Sequence, residues 1–257
     1  MKNKIYICDV FDFLNKLPDC SIDLAIVDPP YNLKIANWDI FKNEKEFLNF
    51  SYRWMDLMLL KMKPDASFYI FNTPYNCALF INFLKDKKIK FNNFITWYKK
   101  DGLNYSKTKY VNNQESILFY SMSKKYYFNS DDIRIPYESN KRIEHARKKG
   151  ILKNGKRWFP NNKGKLCPDV WQISSVRHVN KINGKIVKQR HPSPKPREMI
   201  ERMIRASSEE NDLILDLFAG TGVVSLIAKE LNRNFIACEI NKDYIDENLK
   251  EYLCLKL

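Results

Sequence analysis

The segment Asp212-Leu-Ile-Leu-Asp-Leu-Phe-Ala-Gly-Thr-Gly222 places a short apolar run directly before two glycines. The apolar run, residues 212–217, predicts a strand, and residues 223–231 after the glycines predict a helix. Glycines at such a strand-to-helix turn let the backbone approach a nucleotide-like ligand beside the amino terminus of the helix. This segment therefore predicts an α/β fold with a ligand-binding turn.

An acidic residue, Glu239, follows the next predicted strand, residues 234–238, and lies 17 residues after Gly222. In nucleotide-binding folds an acidic side chain at about this spacing takes both hydroxyls of a ribose. The two features together favour a bound nucleoside over the alternative, which is a tight turn followed by a solvated glutamate.

Two strands are too few to bury either face of a doubly wound sheet, so the other strands must come from the amino-terminal half. Apolar and β-branched runs predict strands at residues 5–8, 22–27, 67–71, 91–99 and 115–120. Helical spacing predicts helices at residues 10–16, 44–62, 75–87, 196–205 and 242–253. We expect strands 5–8 and 22–27 to follow strand 234–238 in space. The fold class is then a circularly permuted α/β fold, with a mostly parallel twisted sheet and helices on both faces.

Polar residues follow four of these strands at their carboxyl ends. They are residues 216–222, Glu239, Asp9 and Asp28. Ligands of open α/β sheets bind at this edge, so we expect these residues to share one site. Asp9 has a second interpretation, as the N-cap of helix 10–16.

The tetrapeptide Asp28-Pro29-Pro30-Tyr31 directly follows strand 22–27. Its two prolines hold the backbone extended and remove two N–H donors, which leaves carbonyl oxygens free to face a cleft. An acidic side chain, a free carbonyl and an aromatic ring suit a planar amine that needs two acceptors and a stacking surface. The alternative is a rigid strand exit with a packed tyrosine.

The net charge of +14 is concentrated in one internal segment. Residues 123–190 hold 18 basic and five acidic side chains, whereas the rest of the chain holds 26 basic and 25 acidic ones. Aromatic residues are interleaved with the basic ones, and the periodicity is weak. This basic segment predicts an insertion that contacts a polyanion.

Other classes of site and location are disfavoured. Six scattered cysteines form no C-x-x-C pair and three isolated histidines add no ligand spacing, so we expect no metal site. The longest apolar stretch, residues 213–228, is interrupted by Asp216 and two glycines, which predicts no membrane span. The first 12 residues lack an uninterrupted apolar signal region, and we expect a cytoplasmic protein. Two polar loops, residues 32–43 and 101–113, are candidates to close over a bound substrate.

Asp28-Pro29-Pro30-Tyr31 and Phe218-Ala-Gly220-Thr-Gly222, in that order, resemble the beta class of S-adenosylmethionine-dependent amino-methyltransferases of DNA. The resemblance covers nearly the full length. It implies a permuted Rossmann-like methyltransferase fold in which residues 1–122 are the catalytic half, residues 123–190 a target-recognition region and residues 191–257 the cofactor half. It also implies methyl transfer to adenine N6 of a flipped base, within a restriction-modification system.

The resemblance carries roles onto individual residues. Asp28 and the Pro29 carbonyl would accept hydrogen bonds from the target amine, and Tyr31 would stack on the base. Pro30, between them in the sequence, belongs to the same catalytic motif. Residues implied to bind S-adenosylmethionine are Cys8, Asp9, Asp28, Pro192, Ser193, Lys195, Phe218, Ala219, Gly220, Thr221, Gly222, Glu239, Ile240 and Asn241. Among these, Asp9 would contact the adenine of the cofactor, and residues 191–196 would close over its methionine end, where Ser193 and Lys195 would hold the carboxylate.

The chain departs from the family pattern at two places. Ser193 and Pro194 stand where threonine and glutamine are common, and Cys8 stands where glycine is frequent. His191 begins the segment that contains the first departure. We interpret it as a structural loop residue and not as a general base, because nothing near it in the sequence titrates usefully.

Several alternatives stay open at this stage. The same chemistry suits cytosine N4, RNA or a protein glutamine, although Asp28 favours adenine by resemblance and the basic segment disfavours a protein. A non-catalytic DNA-binding protein and an NAD-dependent enzyme are rivals of another class, and Ser225 at the place of the third dinucleotide glycine weakens the NAD interpretation. The expected partners are double-stranded DNA and a restriction endonuclease acting on the same site, with the chain as monomer or homodimer.

Overall fold

Strands from both ends of the chain form one central sheet in the structure, a computed structural model that describes residues 2–100, 105–176, 179–182, 185–188 and 191–255. The strands are β1 (Lys4–Ile7), β2 (Ile22–Val27), β3 (Met62–Asn72), β4 (Lys90–Tyr98), β5 (Gln114–Ser121), β6 (Ile151–Lys153), β7 (Lys156–Trp158), β8 (Val170–Gln172), β9 (Val179–Ile182), β10 (Lys185–Lys188), β11 (Leu213–Asp216), β12 (Asn234–Glu239) and β13 (Leu253–Cys254). Nine of them pair in the order β13-β1-β12-β11-β2-β3-β5-β4-β8. Pairing is parallel from β13 through β3 and antiparallel around β5, so the predicted mostly parallel sheet is confirmed.

Six α-helices accompany the sheet within the described residues. They are α1 (Val10–Lys16), α2 (Glu44–Lys61), α3 (Pro74–Leu84), α4 (Asn140–Lys149), α5 (Arg197–Ser207) and α6 (Val223–Glu230). The first three begin at side-chain caps, in which Asp9, Asn43 and Thr73 each accept a hydrogen bond from a backbone N–H of the first turn. None of the described helices has the length and apolar character needed to cross a membrane.

Two apolar layers cover the two faces of the sheet. One layer packs α1, α2 and α3 through side chains such as Phe13, Trp54 and Phe80. The other packs α5 and α6 through side chains such as Met203 and Ile227. The predicted arrangement of helices on both faces is therefore confirmed, and the central strands read as continuous apolar runs because both of their faces are buried.

The permuted order is confirmed for β1 but is wrong for β2. Strand β1 pairs with β12, whereas β2 pairs with β11 on the opposite side, so β2 does not follow β12 and β1. The side chain of Asp23 in β2 accepts a hydrogen bond from the N–H of Leu213 at 2.8 Å. Five of the six residues of β2 are buried, and the centre of the sheet is the position that buries such a strand on both faces.

The predicted helix over residues 242–253 is also wrong. The structure has short 3₁₀ turns at Lys242–Tyr244 and Glu247–Tyr252, and then β13 pairs with β1. Asp246 interrupts the helix because its backbone is extended, its N–H donates to the Thr221 carbonyl and its side chain caps the second turn. Ile245 and Leu249 are buried in the core beside these turns.

The basic segment has more structure than its sequence predicts. It contains α4, the hairpin of β6 and β7, the hairpin of β9 and β10, and β8, which adds to the edge of the central sheet beside β4. Residues 177, 178, 183, 184, 189 and 190 of this segment lie outside the described residues. Trp171 of β8 is 5% exposed, so part of the segment belongs to the core.

Candidate active site

The carboxyl edge of the sheet opens into a cavity of about 280 Å³. The ends of β1, β12, β11 and β2 meet there, as expected for four strands whose carboxyl ends carry polar residues. Predicted site residues that line the cavity are Cys8, Asp9, Asp28, Pro29, Pro30, Tyr31, Ser193, Lys195, Phe218, Glu239 and Ile240. A smaller neighbouring cavity of about 30 Å³ is lined by Ala219, Gly220 and Thr221, and it shares Asp28, Ser193, Lys195 and Phe218 with the first. Pro192, Gly222 and Asn241 line neither of these two cavities.

The glycine turn holds the Glu239 carboxylate in one orientation. Gly220 has a φ of +53° and donates its N–H to Glu239 Oε2 at 2.7 Å, while the N–H of Asn241 donates to Oε1 at 2.9 Å. Burial raises the pKa of Glu239, and these backbone hydrogen bonds oppose the rise. A third backbone hydrogen bond, from Ile240, also opposes the rise, and a carboxylate with about four lone-pair positions can still accept from a ligand.

Asp9 has the first of the two roles that the sequence left open, and its position is compatible with the second. Its Oδ1 accepts a hydrogen bond from the N–H of Phe11 at 2.8 Å, which confirms the N-cap of α1. The same residue lines the cavity at the end of β1. A ligand contact by Asp9 therefore remains compatible with the cap but is a prediction.

The backbone after Asp28 is organised by a residue that sequence reasoning missed, Asp39. This fully buried side chain accepts hydrogen bonds from four backbone N–H groups, at distances of 2.6, 2.7, 2.8 and 3.3 Å. The donors are Tyr31, Asn32, Leu33 and Ile35. Because one carboxylate satisfies four otherwise unpaired donors, the loop over residues 31–39 has a defined shape beside the cavity.

Two asparagines, also missed, fix the carbonyl groups of the same segment. Asn76 donates to the Tyr31 carbonyl at 2.9 Å, and Asn72 donates to the Pro30 carbonyl at 3.4 Å. Asn72 ends β3 and Asn76 lies in the first turn of α3. A polar residue at the carboxyl end of a buried strand was the signal that could have identified Asn72.

A partly buried ionic cluster surrounds Asp28. The Tyr31 hydroxyl lies 2.8 Å from Asp28 Oδ1 and 3.0 Å from Glu115 Oε2. The ammonium of Lys195 lies 2.7 Å from Asp28 Oδ2 and 3.4 Å from Glu115 Oε2, and Lys99 forms a second ion pair with Glu115. We call these five residues the Asp28 cluster. Glu115 and Lys99 were not predicted as site residues, although a glutamate at the start of the apolar run 115–120 was a visible signal.

In the Asp28 cluster, burial and neighbouring opposite charges shift the pKa values of the side chains in opposite directions. Burial raises the pKa of Asp28 above its ordinary value, while Lys195 opposes this rise. Burial also acts to raise the pKa of Glu115, but Lys195 and Lys99 outweigh it and the net pKa is lowered. The pKa of Lys195 is raised, because Asp28 and Glu115 outweigh the lowering effect of burial. The pKa values of the two carboxyl groups therefore move in opposite directions, upward for Asp28 and downward for Glu115.

Three rings from different segments cover one side of the cavity. Trp38 and His191 stack with centroids 5.8 Å apart, and Tyr244 meets His191 edge-on at 4.9 Å. The Trp38 indole N–H donates to the Tyr244 hydroxyl at 3.3 Å. His191 also packs tightly against Gly220, where a Cβ would lie 3.2 Å from His191 Nε2. These contacts support the interpretation of His191 as a structural residue.

His191 gives the folded protein a pH-dependent stability. Burial lowers its pKa from 6.5 to about 4, so between these values the unfolded chain binds a proton that the folded chain does not. Stability contributed by neutral His191 is therefore lost as the pH falls through 6.5, by up to about 2 kcal/mol at pH 5. We expect His191→Phe, which keeps a ring but cannot titrate, to reduce the difference in free energy of unfolding between pH 7.5 and pH 5, measured with urea.

His145→Phe provides the matched control. His145 is exposed to solvent and does not line the cavity that His191 lines. This control is expected to retain the pH dependence of the original protein. An unchanged pH dependence in His191→Phe would contradict the assigned environment of His191.

Comparisons with known proteins agree with this geometry. The family described as DNA methylase, N6_N4_Mtase, matches residues 22–250. The chain is 54% identical over 245 residues to Type II methyltransferase M1.MboII of Moraxella bovis, with 95% of this chain and 94% of that protein covered.

Two solved structures are similar in fold. The M1.HpyAVI–SAM complex has a TM-score of 0.61 and 22% identity, with 94% of each chain covered. The PvuII DNA methyltransferase, described as cytosine-N4-specific, has a TM-score of 0.67 and 19% identity, with 96% of this chain and 88% of that chain covered. The fold of this chain is therefore shared with these two solved structures.

Proposed function

This chain belongs to the N6/N4 family of DNA methylases, and from that premise we propose that it transfers a methyl group from S-adenosylmethionine to the N6 amine of adenine in double-stranded DNA. The chain is a DNA methyltransferase, as the sequence resemblance implies. Its proposed place is the cytoplasm, as the modification enzyme of a restriction-modification system.

One observation carries the choice of reaction. The cradle for a nucleoside, formed by Glu239 and Phe218, and the acceptors for an amine, at Asp28, line the same cavity. Glu239 presents two oriented carboxylate oxygens to a ribose, and the apolar side chains of Phe218 and Ile240 flank a planar ring. The residues present therefore fit S-adenosylmethionine, whose sulfonium supplies an already activated methyl group.

The chain contributes mainly orientation to the chemical step. The exocyclic nitrogen of adenine is a poor nucleophile, because its lone pair is delocalised into the ring. Asp28 and the Pro29 carbonyl each accept one N–H of this amine and so favour a tetrahedral nitrogen. When bound, S-adenosylmethionine would supply the methyl group to this nitrogen, and the proton that the methylated nitrogen loses would pass to the Asp28 carboxylate or to water. Positioning of this kind can contribute ~7 to 11 kcal/mol.

The target base must leave the DNA stack to reach Asp28. Extrusion costs a few kcal/mol, and stacking on an aromatic ring offsets part of it. The Tyr31 ring is held by its hydroxyl contacts with Asp28 and Glu115, so its position is set before any base arrives. Tyr31 is the proposed stacking surface.

The decisive experiment is methyl transfer from labelled S-adenosylmethionine to duplex DNA, followed by nucleoside analysis of the product. The expected product is N6-methyladenine. N4-methylcytosine would keep the mechanism and overturn the choice of base, an alternative favoured by the fold shared with the cytosine-N4-specific PvuII enzyme. Binding of DNA without any transfer would reject the enzyme in favour of a DNA-binding protein.

The basic segment is the proposed surface for DNA phosphates. Helix α4 ends in Arg147, Lys148 and Lys149, and all three side chains are exposed. Log affinity for duplex DNA falls with log salt concentration by about 0.9 per phosphate neutralised. We expect Lys148→Gln with Lys149→Gln to reduce this slope, by about 1 per phosphate contact removed, with no change in cofactor affinity.

A matched control changes two lysines near the amino-terminal ends of the parallel strands, away from the cavity. Helix α3 starts at the carboxyl end of β3 and runs away from the cavity, so the exposed Lys85 and Lys88 lie after its distal end. The pair Lys85→Gln with Lys88→Gln is expected to keep the original slope. If the salt dependence of DNA affinity changes in the control but not in the Lys148 and Lys149 variant, the basic segment is not the DNA surface.

Two partner proposals concern assembly. A restriction endonuclease that acts on the same site is the proposed cellular counterpart, supported by the restriction-modification family of the similar proteins. The chain is proposed to act as a monomer or homodimer, which sedimentation of the protein with and without DNA would distinguish.

A further inference from the structure

The ammonium of Lys195 lies between two carboxylates on the side of the cavity where the target amine is proposed to bind. Lys195 is 7% exposed and Glu115 is 8% exposed, so both charges are largely removed from water. The ammonium is closer to Asp28 Oδ2, at 2.7 Å, than to Glu115 Oε2, at 3.4 Å. Since a buried charge is stable only when it is paired, Lys195 needs at least one of these two carboxylates as a partner.

Lys195 is held in place from two directions. Its chain position, directly before Pro196 and α5, anchors the backbone to the helix layer of the core. Its ammonium lies 5.3 Å from the centre of the Tyr31 ring and 5.4 Å from that of Phe71, within the range of cation–π attraction. A long flexible side chain is thus confined to the neighbourhood of Asp28.

The electrostatic surroundings of Asp28 come from several elements. Lys195 approaches from the loop before α5, Glu115 from β5, and Tyr31 from the same loop as Asp28. Lys99, directly after β4, reaches the group through Glu115. At the end of β11, burial raises the pKa of Asp216 well above its ordinary value, and Asp28 contributes to this rise. His191 is kept neutral partly by Lys195. Lys195 is therefore the one cation among the described residues that contacts Asp28 directly.

The sequence resemblance assigned Lys195 to another partner, the carboxylate of S-adenosylmethionine. In the structure its ammonium already contacts two carboxylates of the chain itself. An ammonium has three donors, and a third carboxylate here would add a negative charge to a group that now contains two anions and two cations. The geometry disfavours that assignment and suggests a role in the acceptor site.

We propose that Lys195 is a positioning residue for the target-amine acceptor, which keeps the Asp28 carboxylate ionised and oriented, while Glu115, paired with Lys99, holds Lys195 in that place. This inference rests on the proposed function, since it takes Asp28 to be the acceptor of the amine. It adds Lys195, Glu115 and Lys99 to the groups that set the activity of Asp28.

Removing the charge of Lys195 and removing the charge of Glu115 should shift the pKa of Asp28 in opposite directions. Lys195 lowers the pKa of Asp28 and Glu115 raises it. Lys195→Met should therefore raise the pKa of Asp28 and move the acid limb of the single-turnover rate of methyl transfer to higher pH. Glu115→Gln should lower the pKa of Asp28 and move the acid limb to lower pH. A purely structural role would not produce shifts of opposite sign.

The experiment combines three measurements on the full-length protein. The pKa of Asp28 is followed by NMR with ¹³C-carboxyl aspartate, with its signal assigned by loss in Asp28→Asn. The pH dependence of the single-turnover rate is measured with saturating DNA, and the affinity for S-adenosylmethionine is measured by calorimetry. Lys195→Arg keeps the positive charge and should keep both the pKa and the acid limb. Lys61→Met removes another buried lysine, paired with Asp19 outside the cavity, and should change none of the three.

Each outcome decides the proposal. Opposite shifts for the two variants, with unchanged cofactor affinity, support it. A large loss of cofactor affinity in Lys195→Met without any change in the pKa of Asp28 overturns it in favour of the cofactor carboxylate. If Lys195→Met does not fold, the sign of the shift in Glu115→Gln decides. Because the NMR titration needs neither DNA nor turnover, it tests the cluster even where methyl transfer to DNA, and with it the proposed function, fails.

Discussion

Asp28→Ala is expected to lower the single-turnover rate of methyl transfer by ~10² to 10³, because removal of one preorganised electrostatic partner commonly has an effect of this size. The nitrogen would lose its side-chain acceptor as positive charge develops on it. Folding should survive, since Lys195 retains Glu115 as a partner after Asp28 is removed. The measurement is a single-turnover rate with saturating DNA and cofactor, together with calorimetric cofactor binding, which should persist.

The matched control for Asp28 lies on the same strand. Asp23 is at the amino-terminal end of β2, where it pairs with Lys63 and accepts from the N–H of Leu213. Asp23→Asn keeps an acceptor for this N–H and is expected to retain the transfer rate. A normal rate in folded Asp28→Ala would reject the mechanism, and Asp28→Asn provides a second test that disturbs packing less.

Glu239→Gln is expected to weaken binding of S-adenosylmethionine by ~1.5 to 3 kcal/mol, the range for hydrogen bonds to a charged group. The amide keeps one acceptor oxygen but replaces the other with a donor. In one orientation the amide N–H₂ would face a ribose hydroxyl. In the other it would face the N–H of Gly220 or of Asn241, each of which donates to the carboxylate in the original protein. Calorimetry on the folded variant measures the effect directly.

The exposed glutamate Glu210 is the control for this prediction, because it lies outside the lining of the cavity. Glu210→Gln should bind the cofactor as the original protein does. Equal affinities in Glu239→Gln and Glu210→Gln would remove Glu239 from the cofactor site.

The parts of the fold and site that sequence predicted are those encoded by local patterns. The glycine turn at Gly220, the exit of β2 at Asp28 and the acidic end of β12 each combine an apolar run with a characteristic polar residue. Such patterns depend on a few adjacent positions, and the carboxyl-edge rule then brings them together without knowledge of the strand order. The cavity lining could therefore be predicted even though the place of β2 in the sheet was not.

The parts that sequence missed depend on contacts between distant positions. Glu115 lies 84 residues from Tyr31 in the chain, and nothing beside it in the sequence indicates that its partners are Tyr31 and Lys195. Asp39 is an ordinary loop aspartate until the fold surrounds it with four N–H groups. Residues 242–253 have helical spacing, but contacts of Asp246 and Leu249 with the glycine turn outweigh that local preference.

The pairing of β2 with β11 has a consequence for the order in which a newly made chain becomes active. The bond between Leu213 and Asp23 joins residues 190 positions apart, and Asn3 bonds to Asn234 across 231 positions. During synthesis the tetrapeptide at Asp28 leaves the ribosome early, whereas β11, which pairs with β2, and the glycine turn proposed to bind the cofactor leave it late. Strand pairings between such distant residues form slowly. Until they form, the apolar edges of the earlier strands stay exposed. A chain interrupted before residue 213 would thus carry the proposed amine acceptor without the proposed site for the methyl donor, and it would be prone to aggregation.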